Sequence, residues 1–138
     1  MSQFSICNAE ARHLIRVAHK IIETRGEPPI VIAVLGKNCF PVAIDVMDGA
    51  MPASIKLAEC KAYTAIATDR DTILWQRRDP QINVKNFGDR RLSFLGGGIQ
   101  IFRDGQVIGA LGISGKGGGE KDHEIAVATR MHAFYYLP

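Results

Sequence analysis

The sequence predicts an α+β domain, with an antiparallel sheet of about five strands flanked by helices. Three observations lead there. Leu14, Ile15, Ala18, Ile21 and Ile22 recur at helical spacing near the N-terminus. The β-branched run from Ile30 to Leu35 has the composition of a buried strand. Asp104-Gly105 separates two extended apolar segments, and both residues tolerate the positive φ of a tight hairpin turn. Hairpin connections imply antiparallel pairing.

The elements follow in order. Asn8 is placed to cap a first helix reaching about Arg25, which Gly26 and Pro28-Pro29 stop. The strand Ile30–Leu35 is followed by a turn at Gly36-Lys37-Asn38 and a second extended stretch from Phe40 to Met47. Pro41 cannot donate to a ladder, so it belongs at the start or edge of that strand. A second helix begins near Pro52 or Ser54 and runs to about Thr68, its inner stripe being Ile55, Ala58, Ala62, Ala65 and Ile66. Asp71 to Arg77 forms one or two further turns, and Arg78 to Arg90 reads as a polar loop. Leu92 to Leu95 is a short strand candidate. Ile99 to Arg103 and Gln106 to Ser114 are strands, and a last helix spans about Glu120 to Tyr136.

The 138 residues suit one domain, residues 1–138, with no internal repeat or linker. The apolar share of 46% and charged share of 22% are those of an ordinary globular chain. Cys7, Cys39 and Cys60 have no CxxC spacing, which argues against a disulfide framework or a structural zinc site. A reducing cytoplasm is therefore the expected location. The first residues lack the pattern of a secretory leader, and no apolar run is long enough for a membrane helix. A net charge of +3, with Arg77-Arg78 and Arg90-Arg91 as the basic pairs mid-chain, gives no nucleic-acid signature. Neither a nucleic acid nor a membrane is expected as partner.

The chemistry is concentrated between Gly96 and Ala126. Gly96-Gly97-Gly98 is either a tight start to a strand or a backbone floor under a ligand. Ala110, Gly112 and Ser114 share one strand face, leaving a groove for a close-packed helix or for a ligand. Gly115 to Gly119 precedes a helix, as an anion cradle would. It is not a P-loop, and Glu120 and Asp122 would repel phosphate, which leaves a carboxylate or propionate as the anion considered there. The histidines His13, His19, His123 and His132 form no metal motif. His123, between Asp122 and Glu124, is placed for acid–base work or iron ligation, and His19 flanks the apolar stripe of the first helix. Lys61 is either a solvated lysine or, if it reaches a pocket, an acid-binding group or base.

Four segments then carry a resemblance. They are Met47-Asp48-Gly49-Ala50 with Ser54; Lys61-Ala62-Tyr63-Thr64-Ala65; Gly96 to Ile101 with Asp104-Gly105 and Val107 to Gly115; and Glu120 to Ala126. In this order and spacing the chain resembles the GlcG/HbpS-like family, to which the C-terminal domain of PduO is related. The resemblance implies a profilin-like domain and a homo-oligomer, often an octamer. It implies a small-molecule ligand, haem or another tetrapyrrole in some members, within a bacterial catabolic or cofactor-handling system. It ties Met47, Asp48, Lys61, Gly96, Gly97, Gly98, Ser114 and Gly115 to ligand binding, with His123 or His19 as the iron ligand if haem is held. Two departures mark the wall opposite the glycines: Gly36 stands where relatives often have an aspartate, and Val46 where they often have an arginine. The alternative is an enzyme of a degradative pathway, using Lys61, Glu120, Asp122 and His123 in acid–base chemistry on an organic acid or aromatic-derived substrate. The apolar C-terminus, Ala133 to Pro138, is the expected subunit interface.

Overall fold

A computed structural model describes residues 4–78 and 87–134. Its elements run α1 (Asn8–Arg25), β1 (Ile30–Gly36), β2 (Pro41–Val46), α2 (Ala53–Ala67), α3 (Ile73–Arg78), β3 (Gly98–Arg103), β4 (Gln106–Gly115) and α4 (Gly119–Ala133). The helix α1 begins where Asn8 was expected to cap it, but Cys7 occupies the cap position. The Cys7 amide is instead taken up by the Glu10 carboxylate at 3.0 Å. Gly26 ends the helix in the left-handed conformation, φ 64°. Asp104 and Gly105 both have positive φ, 51° and 76°, as the hairpin requires.

Among the described residues, four antiparallel strands lie in the order β2-β1-β4-β3, not the five expected. The shortfall is at Leu92 to Leu95. There the Ser93 amide donates to Thr64 Oγ1 at 2.8 Å, and Phe94 stacks on Trp75. Side chains, not a neighbouring strand, take up this segment. The expected loop 78–90 lies partly outside the described residues, as does the C-terminus beyond Phe134.

The helices α1 and α4 cover one face of the sheet, where Leu14, Ile21, Ile32, Val34, Leu111, Ile113 and Ile125 form the main core. Each such side chain contributes roughly 1.5–3 kcal/mol when buried. The other face takes α2. Gly112 lies so close to the Ala58 and Ala62 backbone that no Cβ fits there, and small Ala110 packs with Ala62 and Ala65. The alanine stripe therefore fills the shallow face. Its outer member Ile55 is 38% exposed, and the stripe's unexpected buried member is Lys61, at 1%.

The two sheet edges are finished differently. At β3, Thr72 exchanges hydrogen bonds with Gly98: the Thr72 amide donates to the Gly98 carbonyl and the Gly98 amide donates to the Thr72 hydroxyl, each at 2.9 Å. Further along, the Gln100 amide donates to Asp71 Oδ1 and Arg130 donates to the Gln100 carbonyl, both at 2.9 Å. Thr72, Asp71 and Arg130 thus occupy the hydrogen-bonding positions of that edge at Gly98 and Gln100. At the other edge, β2 carries exposed Ile44 and Val46. These pair with Ala33 and Val31, so they lie on the α2 side of the sheet.

Candidate functional site

The residues singled out between Gly96 and Ala126 do converge, around one buried ion pair. Lys61, in the middle of α2, points through the sheet layer towards the start of α4. Its Nζ donates to Asp122 Oδ2 at 2.9 Å and to the Ile113 carbonyl at 3.1 Å. The two side chains are 1% and 2% exposed. Burial pulls the Lys61 ammonium below its usual pKa and pushes the Asp122 carboxyl above its own, while their attraction opposes both shifts. The other carboxylate oxygen, Oδ1, is buried with no hydrogen-bond partner among the described residues, although the Gly115 amide faces the group and favours its charge.

The glycines make this closure possible. Gly97, at φ 127°, leaves room for Lys61, whose Cδ would lie 3.0 Å from any added Cβ. Gly98 faces the Lys61 carbonyl, and Gly96 faces Gly119 and Ile73. The space over Gly96-Gly97-Gly98 is therefore taken by the chain itself, which is the tight-strand alternative. Ser114 is buried beside them. Met47 lies across β1, its amide donating to the Ile30 carbonyl, and Asp48 is exposed. Gly115 pairs with the same Ile30.

The other acid–base candidates stand at the rim. Glu120 is held by Arg77 at 2.6 Å in an exposed ion pair, which lowers its pKa. His123 is half-buried and its Nδ1 has no hydrogen-bond partner among the described residues. Burial lowers its pKa and Asp71 opposes, with Arg77 and Arg130 adding to the depression. His19 lies elsewhere, on the β2 side of α1, with Nε2 2.6 Å from Asp45 Oδ2.

The open spaces are formed by other residues. A groove of about 460 Å³ between α1 and α4 is lined by Val17, Lys20, Ile21, Thr24, Arg25 and His132. A second, of about 570 Å³, lies between α3, β3 and α4. His132 carried no sequence signal, because its groove arises only when the two helices pack. On the α2 side, Tyr63 donates to Asp89 at 2.5 Å. Hydrogen bonds from Arg91, then from Tyr63, hold the Asp89 carboxyl at about 2.

A family model described as haem degrading protein HbpS-like matches residues 6–130. The chain belongs to the HbpS-like family. The crystal structure of HbpS superposes with a TM-score of 0.82 at 26% identity, over 96% of this chain and 92% of that one. The crystal structure of a PduOC–haem complex superposes with a TM-score of 0.80 at 27% identity, over 92% and 94%. The corrinoid adenosyltransferase PduO of Citrobacter freundii is 32% identical over 102 residues, which is 71% of this chain. The match spans only 30% of that protein's length. The HbpS-like fold is thus the α+β fold expected from the sequence.

Proposed function

We propose that this HbpS-like chain binds haem or a related tetrapyrrole in the groove between α1 and α4. The observation that carries the reading is the lining of that groove, which offers each group a haem needs. Val17 and Ile21 supply an apolar wall, Lys20 and Arg25 supply cations for propionates, and exposed His132 supplies an imidazole. Neither of the histidines first considered is as well placed. The Nε2 of His19 is engaged with Asp45, and His123 lies at the Arg77–Glu120 end of α4 and lines neither groove. When bound, haem would supply a redox-active iron with a ligand position set by the protein. Val17 and Ile21 would limit water at the macrocycle face, and Lys20 and Arg25 would orient it. The PduOC–haem complex among the similar structures supports the same ligand class.

Haem titration tests this. Wild-type protein is expected to develop a saturable Soret band that His132→Ala shifts or abolishes and His19→Ala leaves in place. A titration without a Soret change, or a band indifferent to His132→Ala, overturns the assignment.

The acid–base alternative has less to draw on. Its strongest pair, Lys61 and Asp122, is sealed from solvent, and Glu120 is engaged by Arg77. The reading includes a homo-oligomer in the cytoplasm. Exposed Ile44, Val46, Met51 and Ile55, with Phe134 at 82%, supply apolar surface for subunit contacts. Among the described residues, no helix is long and apolar enough to cross a membrane.

A further inference from the structure

The larger groove has a different chemistry. Its apolar surface comes from Leu74, Phe102, Val127 and Met131, on three separate elements. Four charged groups line it: Asp69, Arg70, Asp71 and Arg130. Two of them neutralise each other, since Arg130 pairs with Asp71 at 3.3 Å and also caps the Gln100 carbonyl. That leaves one cation and one anion without an ion-pair partner among the described residues, and they are consecutive in sequence.

Both are held in place by uncharged contacts. The Arg70 guanidinium lies over the Trp75 ring, 4.8 Å from its centroid. Stacking orients the guanidinium and leaves its edge N–H groups to meet a carboxylate. Asp69 accepts from Gln100 Nε2 through Oδ1 at 2.8 Å, so Oδ2 remains as an acceptor. Gln100 is itself buried, which ties that carboxylate to the sheet. Asp69 also adopts a left-handed backbone, φ 54°, a conformation Asp tolerates better than most residues.

We propose that this groove is a second ligand site, and that it takes a small zwitterion with an apolar body, of the class of apolar α-amino acids. The ligand carboxylate meets Arg70, the ammonium meets Asp69, and the side chain lies on Leu74, Phe102, Val127 and Met131. A simple anion would leave Asp69 uncompensated, and a simple cation would leave Arg70 so. The groove's overall neutrality selects a ligand bearing both charges.

Trp75 is the sole tryptophan of the chain and lies directly under Arg70, so its indole N–H resonance reports occupancy. L-phenylalanine titrated into the protein is expected to shift that resonance saturably. Phenylacetate and phenethylamine, each lacking one charge, are expected to bind at least about tenfold more weakly. Arg70→Gln and Asp69→Asn, which retain the aliphatic stem and the left-handed tolerance respectively, are expected to weaken phenylalanine by a similar factor while the remaining spectrum stays folded. His132→Ala is expected to leave this binding intact, which separates it from the haem reading. No saturable shift overturns the site. Phenylacetate binding as tightly as phenylalanine, or binding unaffected by both substitutions, overturns the zwitterion assignment.

Discussion

The first turn of α4 carries two carboxylates, Glu120 and Asp122, and each meets a basic side chain under opposite conditions. The Glu120–Arg77 pair is 2.6 Å long with both side chains more than half exposed, at 56% and 55%. The Asp122–Lys61 pair is 2.9 Å long with both at 2% or less. Water screens the first and competes for its partners, so forming it changes little between folded and unfolded chain. The second has lost its hydration. Among the described residues its partners have each other, the Ile113 carbonyl and the Gly115 dipole, so neither can be removed alone without stranding the other. Contact distance is therefore a poor guide to the importance of an ion pair here, and burial is the deciding quantity.

The largest expected effect comes from breaking the buried pair. Lys61→Ala strands the Asp122 carboxylate beside its already unsatisfied Oδ1, and is expected to cost about 3–5 kcal/mol. The measurement is the urea unfolding midpoint. The double variant Lys61→Met with Asp122→Leu is expected to regain much of that loss, because no uncompensated charge then remains. A double variant no better than Lys61→Ala would show that the lysine acts through packing rather than charge.

His123, the next residue along, gives a smaller and pH-dependent effect. Its folded pKa lies below the ordinary 6.5 because burial disfavours the imidazolium. As pH falls from 6.5 towards the folded value, the unfolded chain takes up a proton that the folded chain does not, so stability drops. The contribution is complete above 6.5 and lost as pH falls through the folded value. Thermal melts of wild type and His123→Gln across that interval are expected to diverge, the wild type losing more on acidification. Parallel curves would contradict the assignment. The smallest effect belongs to the exposed pair: Arg77→Ala is expected to leave the urea midpoint unchanged within error at moderate salt, and a clear loss would show that exposure understates this contact.

The contrast also explains what could be read in advance. Local patterns carried α1, the buried strand β1 and the Asp104-Gly105 turn, because each depends on neighbours within a few residues. The motif order carried the family, and with it the fold. Lys61 was legible as a residue worth attention, yet its burial was not, since its partner lies 61 positions away. Within α2 a lysine next to an alanine stripe reads equally well as solvated. Leu92 to Leu95 is a strand candidate from the sequence. What decides its conformation is the Thr64 hydroxyl that meets the Ser93 amide, from another element. The two grooves were invisible for the same reason. His132, Arg70 and Asp69 gain their surroundings only when helices separated in sequence are packed together.

The unequal sheet edges bear on how copies of this chain can meet. A strand-by-strand fibre needs every member to offer two receptive borders, one to receive and one to give. Here Asp71, Thr72 and Arg130 already occupy the β3 border. If copies of the chain join strand to strand through the open β2 edge, one chain's β2 faces another's across a two-fold axis. That joining uses up both available borders at once, and growth by this route terminates at a pair.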